Sequence, residues 1–395
     1  MKIGFKTIGT IAAAAMIYCS PAAHAAQYDI NIYGASAQYN YWNDTADDFL
    51  STSKGCTTTT QATHSSKKHG ITKGTDCTGG HTYYVRYTSK ASYDGIYACE
   101  RSTSVPGGQP SCSGTGPGYR EMADESNTNW STGVVNSLAC KEVKIGASDV
   151  AGSTFGQVSP LRSVGAITTT KPDKRPFAIT FGFFKNKEAL PNLTNLTRLQ
   201  AGMIFSGKAL TWDQFGPTYP SKDVIACLRE AGSGTHATLA AAVMRADWNL
   251  LTGAEQPWVD FNDGSSDMMA CINTNNGQST ATYGAVGYAD ADSREKCADC
   301  QFGTGCDGDN EDATYPATAS LLYNGAEGNA DNVAGCVYSF WSAQWLYVCD
   351  ANYATLAEDL YQFAKTNGDY YNASKKDLED NRCNKANDRA MPTFY

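Results

Sequence analysis

Apolar residues recur along the chain at two spacings, one typical of strands and one typical of helices. Residues 28–33 alternate apolar and polar side chains, which predicts a strand with one buried face. Residues 176–184 are almost continuously apolar, so we expect a central strand that is buried on both faces. Residues 354–366 repeat their apolar positions at helical spacing and predict an amphipathic helix. This alternation of strand and helix patterns indicates an α/β fold.

The same patterns predict the remaining elements. We expect strands at 83–87, 143–148, 224–228, 284–288 and 340–348, and helices at 37–50, 192–204 and from 236 onward. Two stretches lack both patterns. Residues 51–82 are polar, and we interpret them as irregular surface clamped by Cys56 and Cys77. Residues 99–140 are rich in Gly, Ser and Pro, and we interpret them as an insertion punctuated by Cys99, Cys112 and Cys140.

The sequence Arg-Glu-Ala-Gly-Ser-Gly-Thr at 229–235, called the 229–235 turn below, joins a predicted strand to a predicted helix. The first N–H groups of a helix lack partners within the helix, and the helix dipole places partial positive charge there. The glycines let the backbone approach a ligand, Ser233 and Thr235 add hydroxyl groups, and Arg229 adds a permanent charge. This combination predicts a small-oxyanion site, but a plain helix cap has the same composition.

Two other predicted strands end in turns that carry oxygen-bearing side chains. Ser36 follows the small residues Gly34 and Ala35, and is a candidate hydroxyl donor or a simple cap. Asp149 follows the strand at 143–148. From the residues alone it is open to four interpretations: a metal ligand, a catalytic base, an acceptor for a protonated ligand oxygen, or an Asx turn.

Composition narrows the class of protein. Hydrophobic residues are 42% and charged residues 18% of the 395, which is typical of a globular chain, and the length predicts two lobes. The net charge of −9 and the lack of a basic stripe argue against nucleic acid as a partner. An acidic protein can still bind an anion, because the site needs only local donors. No later apolar run is long enough to span a bilayer, so we do not expect an integral membrane protein.

The first 25 residues have the pattern of a secretory signal peptide. Lys2 and Lys6 precede a short apolar stretch, and Ala-His-Ala at 23–25 fits a cleavage site, so we expect a mature start near residue 26. A lipoprotein anchored at Cys19 is an alternative that the flanking residues disfavour. Of the 14 cysteines, 13 follow this segment, and in an oxidising compartment most should form disulfides. We expect a periplasmic protein, with secretion or the cell surface as the alternative.

Taken in order, these pieces resemble the periplasmic phosphate-binding proteins of ABC importers, which have the type II periplasmic binding protein fold. Six segments carry the resemblance: Gly34-Ala35-Ser36, Ala91-Ser92-Tyr93-Asp94-Gly95, Gly146-Ala147-Ser148-Asp149, Asn195-Leu196-Thr197 with Ile204-Phe205-Ser206-Gly207-Lys208 and Trp212, the 229–235 turn, and Gly287-Tyr288. They span almost the whole mature chain in the order of the family. The segments at 204–212 and 229–235 are the most specific.

The resemblance implies two α/β lobes joined by strand hinges, with an anion buried in the cleft between them. Residues 26–184 and 338–395 would form the first lobe and residues 185–337 the second. It also implies inorganic phosphate as the ligand, an ABC transporter permease as the partner, and a monomer without cofactor or enzymatic activity. The implied phosphate-binding residues are Ser36, Ala37, Ser92, Asp149, Arg229, Ser233, Gly234 and Thr235.

Asp149 would set the choice of anion. A carboxylate repels a dianion unless an acidic hydrogen lies between them. Hydrogen phosphate and hydrogen arsenate carry one at neutral pH, and sulfate does not. A buried, unsatisfied charged acceptor costs roughly 3 kcal/mol, so we expect phosphate to bind at least about a hundredfold more tightly than sulfate.

The sequence departs from the family at two places. Tyr93 and Asp94 stand where the family has small residues, which makes Ser92 the least secure ligand, and Asp94 would repel an anion if it pointed inward. The family often has an Asp two residues after the arginine of the 229–235 turn, where it orients that arginine. Here the position is Ala231, with Glu230 beside it, so the support of Arg229 is in question.

Two other classes of function compete with anion binding. An enzyme would use Ser233, His236 and Asp149 as nucleophile, base and orienting group, but no nucleophile-elbow pattern is present. A metal or redox site would use Cys297, Cys300 and Cys306, but a second matching pair is missing and disulfides are the simpler interpretation. The acidic residues Asp307, Asp309 and Glu311 lack the full pattern of a calcium loop.

A third alternative keeps the fold and drops the import role. The cysteine-rich segments would suit a secreted or surface-attached phosphate scavenger or sensor, or an interaction protein with an impaired cleft.

Overall fold

The computed structural model describes residues 26–101, 112, 116–157, 165–245, 247–249, 259–291 and 314–367, with short segments at 375–377, 383–385, 387–388, 390–391 and 393–394. The expectations for the signal peptide and for residues 297–311 lie outside these residues. In the described part of the chain, no helix has the length and apolar character needed to cross a bilayer.

The strands are numbered in chain order. They are β1 Gln27–Ala35, β2 Thr58–His64, β3 His69–Cys77, β4 His81–Lys90, β5 Tyr119–Ala123, β6 Thr128–Asn129, β7 Val134–Val135, β8 Leu138–Glu142, β9 Ile145–Ser148, β10 Asp173–Lys174, β11 Phe177–Asn186, β12 Asn195–Leu196, β13 Asp223–Arg229, β14 Val259–Asn262, β15 Tyr283–Asp290, β16 Thr318–Tyr323, β17 Trp341–Ala343, β18 Trp345–Val348, β19 Lys375–Asp377, β20 Cys383–Asn384 and β21 Thr393–Phe394.

The α-helices are numbered in the same way. They are α1 Tyr39–Asp44, α2 Ala46–Lys54, α3 Ser92–Cys99, α4 Arg198–Phe205, α5 Gly234–Thr238, α6 Ser265–Asn273, α7 Ala330–Ala334 and α8 Ala354–Asn367. A π-helical stretch, Leu239–Met244, continues α5. The helix expected at 37–50 is divided into α1 and α2 after a 3-10 turn at Ser36–Gln38.

A nine-stranded sheet forms the first lobe, with the strand order β10-β18-β9-β1-β4-β3-β2-β7-β6. Its centre is parallel. Strand β1 pairs with β4 as far as Ala35 opposite Lys90, and with β9 as far as Gly34 opposite Ala147. Helix α3 packs against β1 and β9. The carboxyl ends of β1, β4 and β9 therefore lie side by side at one edge of this sheet.

A second sheet, with the order β12-β16-β11-β15-β13-β14, forms the second lobe. Strand β13 is parallel to both β14 and β15, and Arg229 lies opposite Asn262 at the carboxyl end of β13. Helix α6 packs on these strands through buried Met268 and Ile272. The second lobe thus also presents the carboxyl ends of parallel strands at one edge.

Strand β11 lies where the lobes meet and is buried along its whole length, which confirms the predicted central strand. Its second half pairs with β15 and β16, and its first half pairs with β17 and β19. Strand β17 leads through Gln344 into β18 of the first sheet, so the chain passes from one sheet to the other here. The predicted lobe boundary after residue 184 falls inside β11.

The interpretation of residues 51–82 as irregular surface is wrong. After the end of α2, this segment forms the antiparallel pair β2 and β3, which extends the first sheet beyond β4. Strand β2 is rich in threonine, and Ala62 is its only buried residue, the others being exposed or half-buried. Threonine favours strands, but a polar and exposed strand shows no apolar alternation. Residues 99–140 likewise contribute β5, β6 and β7.

Five disulfides lie within the described residues. They are Cys56–Cys77, Cys99–Cys349, Cys112–Cys140, Cys227–Cys271 and Cys336–Cys383. The first confirms the predicted clamp on the segment that holds β2 and β3. The Cys99–Cys349 bridge joins the ends of α3 and β18, and Cys227–Cys271 ties β13 to α6. These last two bridges each fix a helix to a strand, one in the first sheet and one in the second.

Candidate functional site

The two sheets bring the carboxyl ends of their parallel strands to one place between the lobes. From the first lobe come Ser36 after β1, Ser92 after β4 and Asp149 after β9. From the second lobe come Arg229, at the end of β13, and the rest of the 229–235 turn. Ligands of open α/β sheets bind outside the carboxyl ends of the strands, so this is the candidate site.

The 229–235 turn leads directly into α5, as the sequence predicted. The Ser233 hydroxyl oxygen accepts the backbone N–H of His236 at 3.3 Å and so caps the helix. The hydroxyl proton of Ser233 remains a donor. Residues Gly234 and Thr235 form the first turn of α5 and are buried. The cap and the anion-site interpretations are thus compatible in this turn.

Arg229 is 1% exposed and lies at the centre of the contacts between the lobes. Its Nη2 donates to the Ser36 hydroxyl of the first lobe at 3.3 Å, and its Nη1 donates to the Ser265 hydroxyl at 3.2 Å. Backbone carbonyls hold the rest of the guanidinium, since Nε donates to Asn262 O at 3.3 Å and Nη2 to Asp263 O at 3.1 Å. These contacts answer the question raised by Ala231, because carbonyl and hydroxyl oxygens orient Arg229.

Asp149 is also 1% exposed, and only two of its polar groups, the backbone N–H and Oδ2, have a hydrogen-bond partner described below. Its backbone N–H donates to the Ser92 hydroxyl at 3.1 Å, and its Oδ2 accepts from the Thr235 hydroxyl of the second lobe at 3.4 Å. Its Oδ1 is buried and has no hydrogen-bond partner among the described residues. A buried carboxylate oxygen without a donor is costly, so this atom points to a ligand that supplies a hydrogen.

Burial and charge act in opposite directions on Asp149. Burial raises the pKa of its carboxyl group from 3.8 to about 6, because the charged form loses its hydration. The positive charge of Arg229 and the hydroxyl groups of Ser92 and Thr235 oppose that rise. The carboxyl group is therefore ionised at neutral pH but takes up a proton in mildly acidic solution.

Two glycines of the 229–235 turn allow the lobes to touch. A Cβ atom added to Gly234 would lie 2.4 Å from Ser92 Oγ and 2.6 Å from Asp149 Cβ. A Cβ atom added to Gly232 would lie 1.7 Å from the Tyr93 ring. No side chain fits at either position while the lobes are in contact. The structure is therefore that of a closed cleft.

Ala37, the last of the predicted ligands, lies in the same region as Tyr93 and Asp94, the two residues that depart from the family pattern. Ala37 is buried in the 3-10 turn that follows β1. Asp94 does not point into the site, because it accepts from Arg120 Nη2 at 3.0 Å and from the Tyr33 hydroxyl at 2.6 Å. The buried ion pair with Arg120 thus removes the repulsion that Asp94 would otherwise exert on an anion. The Tyr93 backbone N–H donates across the cleft to Gly232 O at 3.3 Å.

His236 helps to hold the 229–235 turn in place and does not act as the base of a Ser233 nucleophile. The Tyr288 hydroxyl accepts the Arg229 backbone N–H at 3.0 Å and lies 2.5 Å from His236 Nδ1, so the tyrosine and the histidine share a hydrogen bond. Burial and the charge of Arg229 lower the pKa of His236 to about 3, which keeps the imidazole neutral. Among the described residues, Asp149 accepts no hydrogen bond from His236. The geometry offers no Ser-His-Asp arrangement with Ser233 as nucleophile.

Sequence reasoning missed the segment 262–265, called the 262–265 loop below. It contributes Asn262 O, Asp263 O and the Ser265 hydroxyl to Arg229. The available signal was the same strand-turn-helix pattern used elsewhere, because Asp-Gly-Ser at 263–265 opens α6 directly after β14. In the described part of the chain, no group of three or more His, Cys, Asp or Glu residues could hold a metal ion.

Comparison with known proteins shows similarity of fold without close similarity of sequence. No protein-family model matches the sequence. No curated protein matches it either. Among solved structures, a DING protein is 13% identical with a TM-score of 0.50, over 89% of this chain and 91% of that chain.

Two further solved structures are similar at slightly lower scores. An ancestral soluble variant of the human phosphate-binding protein is 14% identical with a TM-score of 0.49, over 89% of this chain and 90% of that chain. A putative phosphate ABC transporter substrate-binding protein from Clostridium perfringens, solved with bound phosphate, is 12% identical with a TM-score of 0.48, over 85% and 92%. The two α/β sheets of this chain and its similarity of fold to the DING protein confirm the fold class expected from the sequence.

Proposed function

We propose that the protein captures inorganic phosphate, as hydrogen phosphate, in the cleft between its lobes. The observation that carries the proposal is the carboxyl group of Asp149. It is buried beside Arg229, and its Oδ1 has no hydrogen-bond partner among the described residues. An anion that is attracted by Arg229 and carries one acidic hydrogen satisfies both groups. Hydrogen phosphate is such an anion.

The groups around Arg229 and Asp149 suit the oxygens of the same ligand. Hydroxyl groups come from Ser36, Ser92, Ser233 and Thr235, and backbone N–H groups come from Ala37, Gly234 and Thr235. Ser36, Ser92 and Asp149 belong to the first lobe, and Arg229, Ser233 and Thr235 belong to the second. A ligand that contacts both sets stabilises the closed arrangement relative to an open one.

Titration calorimetry of phosphate against sulfate tests this function. Sulfate places an acceptor against Asp149 where hydrogen phosphate places a donor. We expect phosphate to bind at least about a hundredfold more tightly, from roughly 3 kcal/mol for a buried unsatisfied charged acceptor. Comparable affinity for the two anions, or no phosphate binding, contradicts the proposal.

Substitution of Arg229 provides the second arm of this test. Arg229→Ala removes the positive charge that offsets Asp149, and we expect a loss of about a thousandfold in phosphate affinity. Arg175→Ala is the matched control, because the Arg175 side chain is 56% exposed. Equal affinity of Arg229→Ala and the unmodified protein would place phosphate elsewhere.

We further propose that the protein is an exported monomer that delivers phosphate to the permease of an ABC importer. The five disulfides of the described residues support an oxidising compartment such as the periplasm. Co-purification with a permease, or a permease gene beside its own, is the expected outcome for import.

The disulfide-clamped strands β2 and β3 support a second candidate, a secreted or surface phosphate scavenger or sensor. Phosphate binding is common to both candidates, so it does not separate them. Recovery of the protein from the culture medium or cell surface, with no permease attached, would favour the scavenger.

A further inference from the structure

Ser265 lies at the site but was not among the residues expected to bind the ligand. It is the first residue of α6 and is half-buried. Its Oγ is 3.2 Å from Arg229 Nη1 and 3.5 Å from Ser36 Oγ. Ser36 and Ser265 therefore flank the guanidinium from opposite lobes, each within reach of a different terminal nitrogen of Arg229.

The direction of these hydrogen bonds leaves a donor on each serine. A guanidinium only donates, so the oxygens of Ser36 and Ser265 both accept from Arg229. Each hydroxyl proton then points away from Arg229. The two hydroxyls cannot both donate to each other, so at least one is directed to another acceptor. An oxyanion attracted by Arg229 is the acceptor that this arrangement fits.

Capping does not account for the Ser265 hydroxyl. The residue before α6 is Gly264, whose backbone N–H donates to Asp267 Oδ2 at 3.0 Å. The hydrogen bonds of the Ser265 side chain join it to Arg229 and Ser36, which are both site residues. As the first residue of α6, Ser265 also lies where the helix dipole favours negative charge.

The surrounding 262–265 loop is held against both the site and the first lobe. Its Asn262 and Asp263 carbonyls accept from Arg229, and Lys68 Nζ of the first lobe lies 3.5 Å from both Asp263 Oδ2 and Asp267 Oδ2. Ser265 is therefore fixed in position when the lobes are closed.

We propose that Ser265 is a further anion-binding residue, which donates its hydroxyl proton to a phosphate oxygen beside Ser36 and Arg229. The inference rests on the proposed phosphate-binding function. It deepens that function by assigning a ligand contact to the 262–265 loop. The anion is then held by a guanidinium and by two hydroxyls, one from each lobe, that the guanidinium polarises.

The test is titration calorimetry of Ser265→Ala with phosphate, with Ser266→Ala as the matched control. Ser266 is the next residue of the same helix and is exposed. We expect Ser265→Ala to bind phosphate about tenfold more weakly, which corresponds to about 1.4 kcal/mol, and Ser266→Ala to bind unchanged. If the unmodified protein binds phosphate and Ser265→Ala binds it equally well, the inference fails and the proposed function stands. If the unmodified protein does not bind phosphate, the function itself fails.

A double-mutant cycle separates direct contact from an effect through Arg229. Ser265→Ala is made in an Arg229→Lys background and titrated in the same way. Persistence of the loss supports a contact between Ser265 and the ligand, and its disappearance shows that Ser265 acts only by holding Arg229. A crystal structure of the phosphate complex gives an independent result even if a variant fails to fold. It should place Ser265 Oγ within about 3 Å of a phosphate oxygen, and a clearly longer separation overturns the proposal.

Discussion

At the scale of single residues, Asp149 carries the strongest consequence for specificity. We expect Asp149→Asn to narrow the preference for phosphate over sulfate to about tenfold or less, because the amide offers a donor to sulfate and removes the unsatisfied charge. Calorimetric titration of both anions checks this. A preference that stays near a hundredfold would mean that Asp149 does not face the acidic hydrogen of the ligand.

The pKa of Asp149 predicts how this preference varies with pH. Burial raises that pKa from 3.8 to about 6, so below about pH 6 the protonated carboxyl group donates a hydrogen bond that sulfate can accept. We expect the phosphate-to-sulfate preference to fall between about pH 8 and about pH 5. Asp149→Asn is the control, because the amide does not titrate. A preference that is independent of pH in the unmodified protein contradicts the assignment.

The raised pKa of Asp149 also predicts how the stability of the folded protein depends on pH. The folded protein holds the Asp149 proton more tightly than the unfolded chain does. The stabilisation from protonated Asp149 is therefore fully present below about pH 4 and is lost as the pH rises through about 6. At neutral pH the buried, ionised Asp149 lowers the free energy of unfolding. A ligand that donates a hydrogen bond to this carboxylate restores stability. A carboxylate that costs stability when ionised is typical of a binding residue rather than a structural one.

At the scale of elements, the β2–β3 extension shows how exposure hides a strand from sequence analysis. The threonines of β2 have high strand propensity, but Ala62 is the only buried residue of the strand, so its polar and apolar positions do not alternate. In β3, Gly70 and Gly74 are fitted closely against Asn43, Cys56 and Leu50, which no local pattern encodes. The pairing of β3 with β4 determines the structure of this segment, and strand pairing is a contact that the local sequence pattern does not show.

The Cys56–Cys77 disulfide makes a prediction for this element. It closes a loop across 21 positions, and its removal by Cys56→Ala with Cys77→Ala should lower the free energy of unfolding by about 3 kcal/mol. Phosphate affinity should stay unchanged, because none of the proposed ligands lies in β2 or β3. Denaturant unfolding and calorimetry measure the two effects. Weakened phosphate binding with unchanged stability would instead connect the extension to the site.

The strand-turn-helix units are the elements that sequence analysis identified best. Strand β13, the 229–235 turn and α5 follow the predicted order, and Ser233 caps the helix as its position suggested. Each signal is local, since apolar spacing marks the strand and glycine with a hydroxyl marks the helix start. The turn at 263–265 has the same signals, but nothing local shows that it reaches Arg229.

At the scale of the whole molecule, a substitution at a glycine between the lobes should weaken closure of the lobes without lowering the stability of the fold. Gly234→Ala places a Cβ atom against Ser92 and Asp149, while alanine is acceptable in the first turn of α5. Overpacking of about 1–3 kcal/mol predicts a loss of about tenfold to a hundredfold in phosphate affinity, with the melting temperature nearly unchanged. Calorimetry and thermal unfolding are the measurements.

Small-angle X-ray scattering extends that test to the shape of the molecule. Phosphate should compact the unmodified protein and should compact Gly234→Ala less. The control is Gly165→Ala, where an added Cβ has nothing within 4 Å. If Gly234→Ala binds phosphate and compacts as the unmodified protein does, the closed contact between Gly234 and Asp149 is not required for binding.

The sequence by itself determined the α/β fold class, the order of the main strands and helices, and the residues that follow the carboxyl ends of β1, β4, β9 and β13. These depend on side-chain spacing and turn composition, which act over a few neighbouring residues. Only the tertiary structure decided that Arg120 neutralises Asp94, that the 262–265 loop holds Arg229, and that Asp149 Oδ1 is buried without a partner among the described residues. Burial, and the pairing of charges that are distant in sequence, depend on how the two sheets pack against each other. Local sequence patterns do not contain this information.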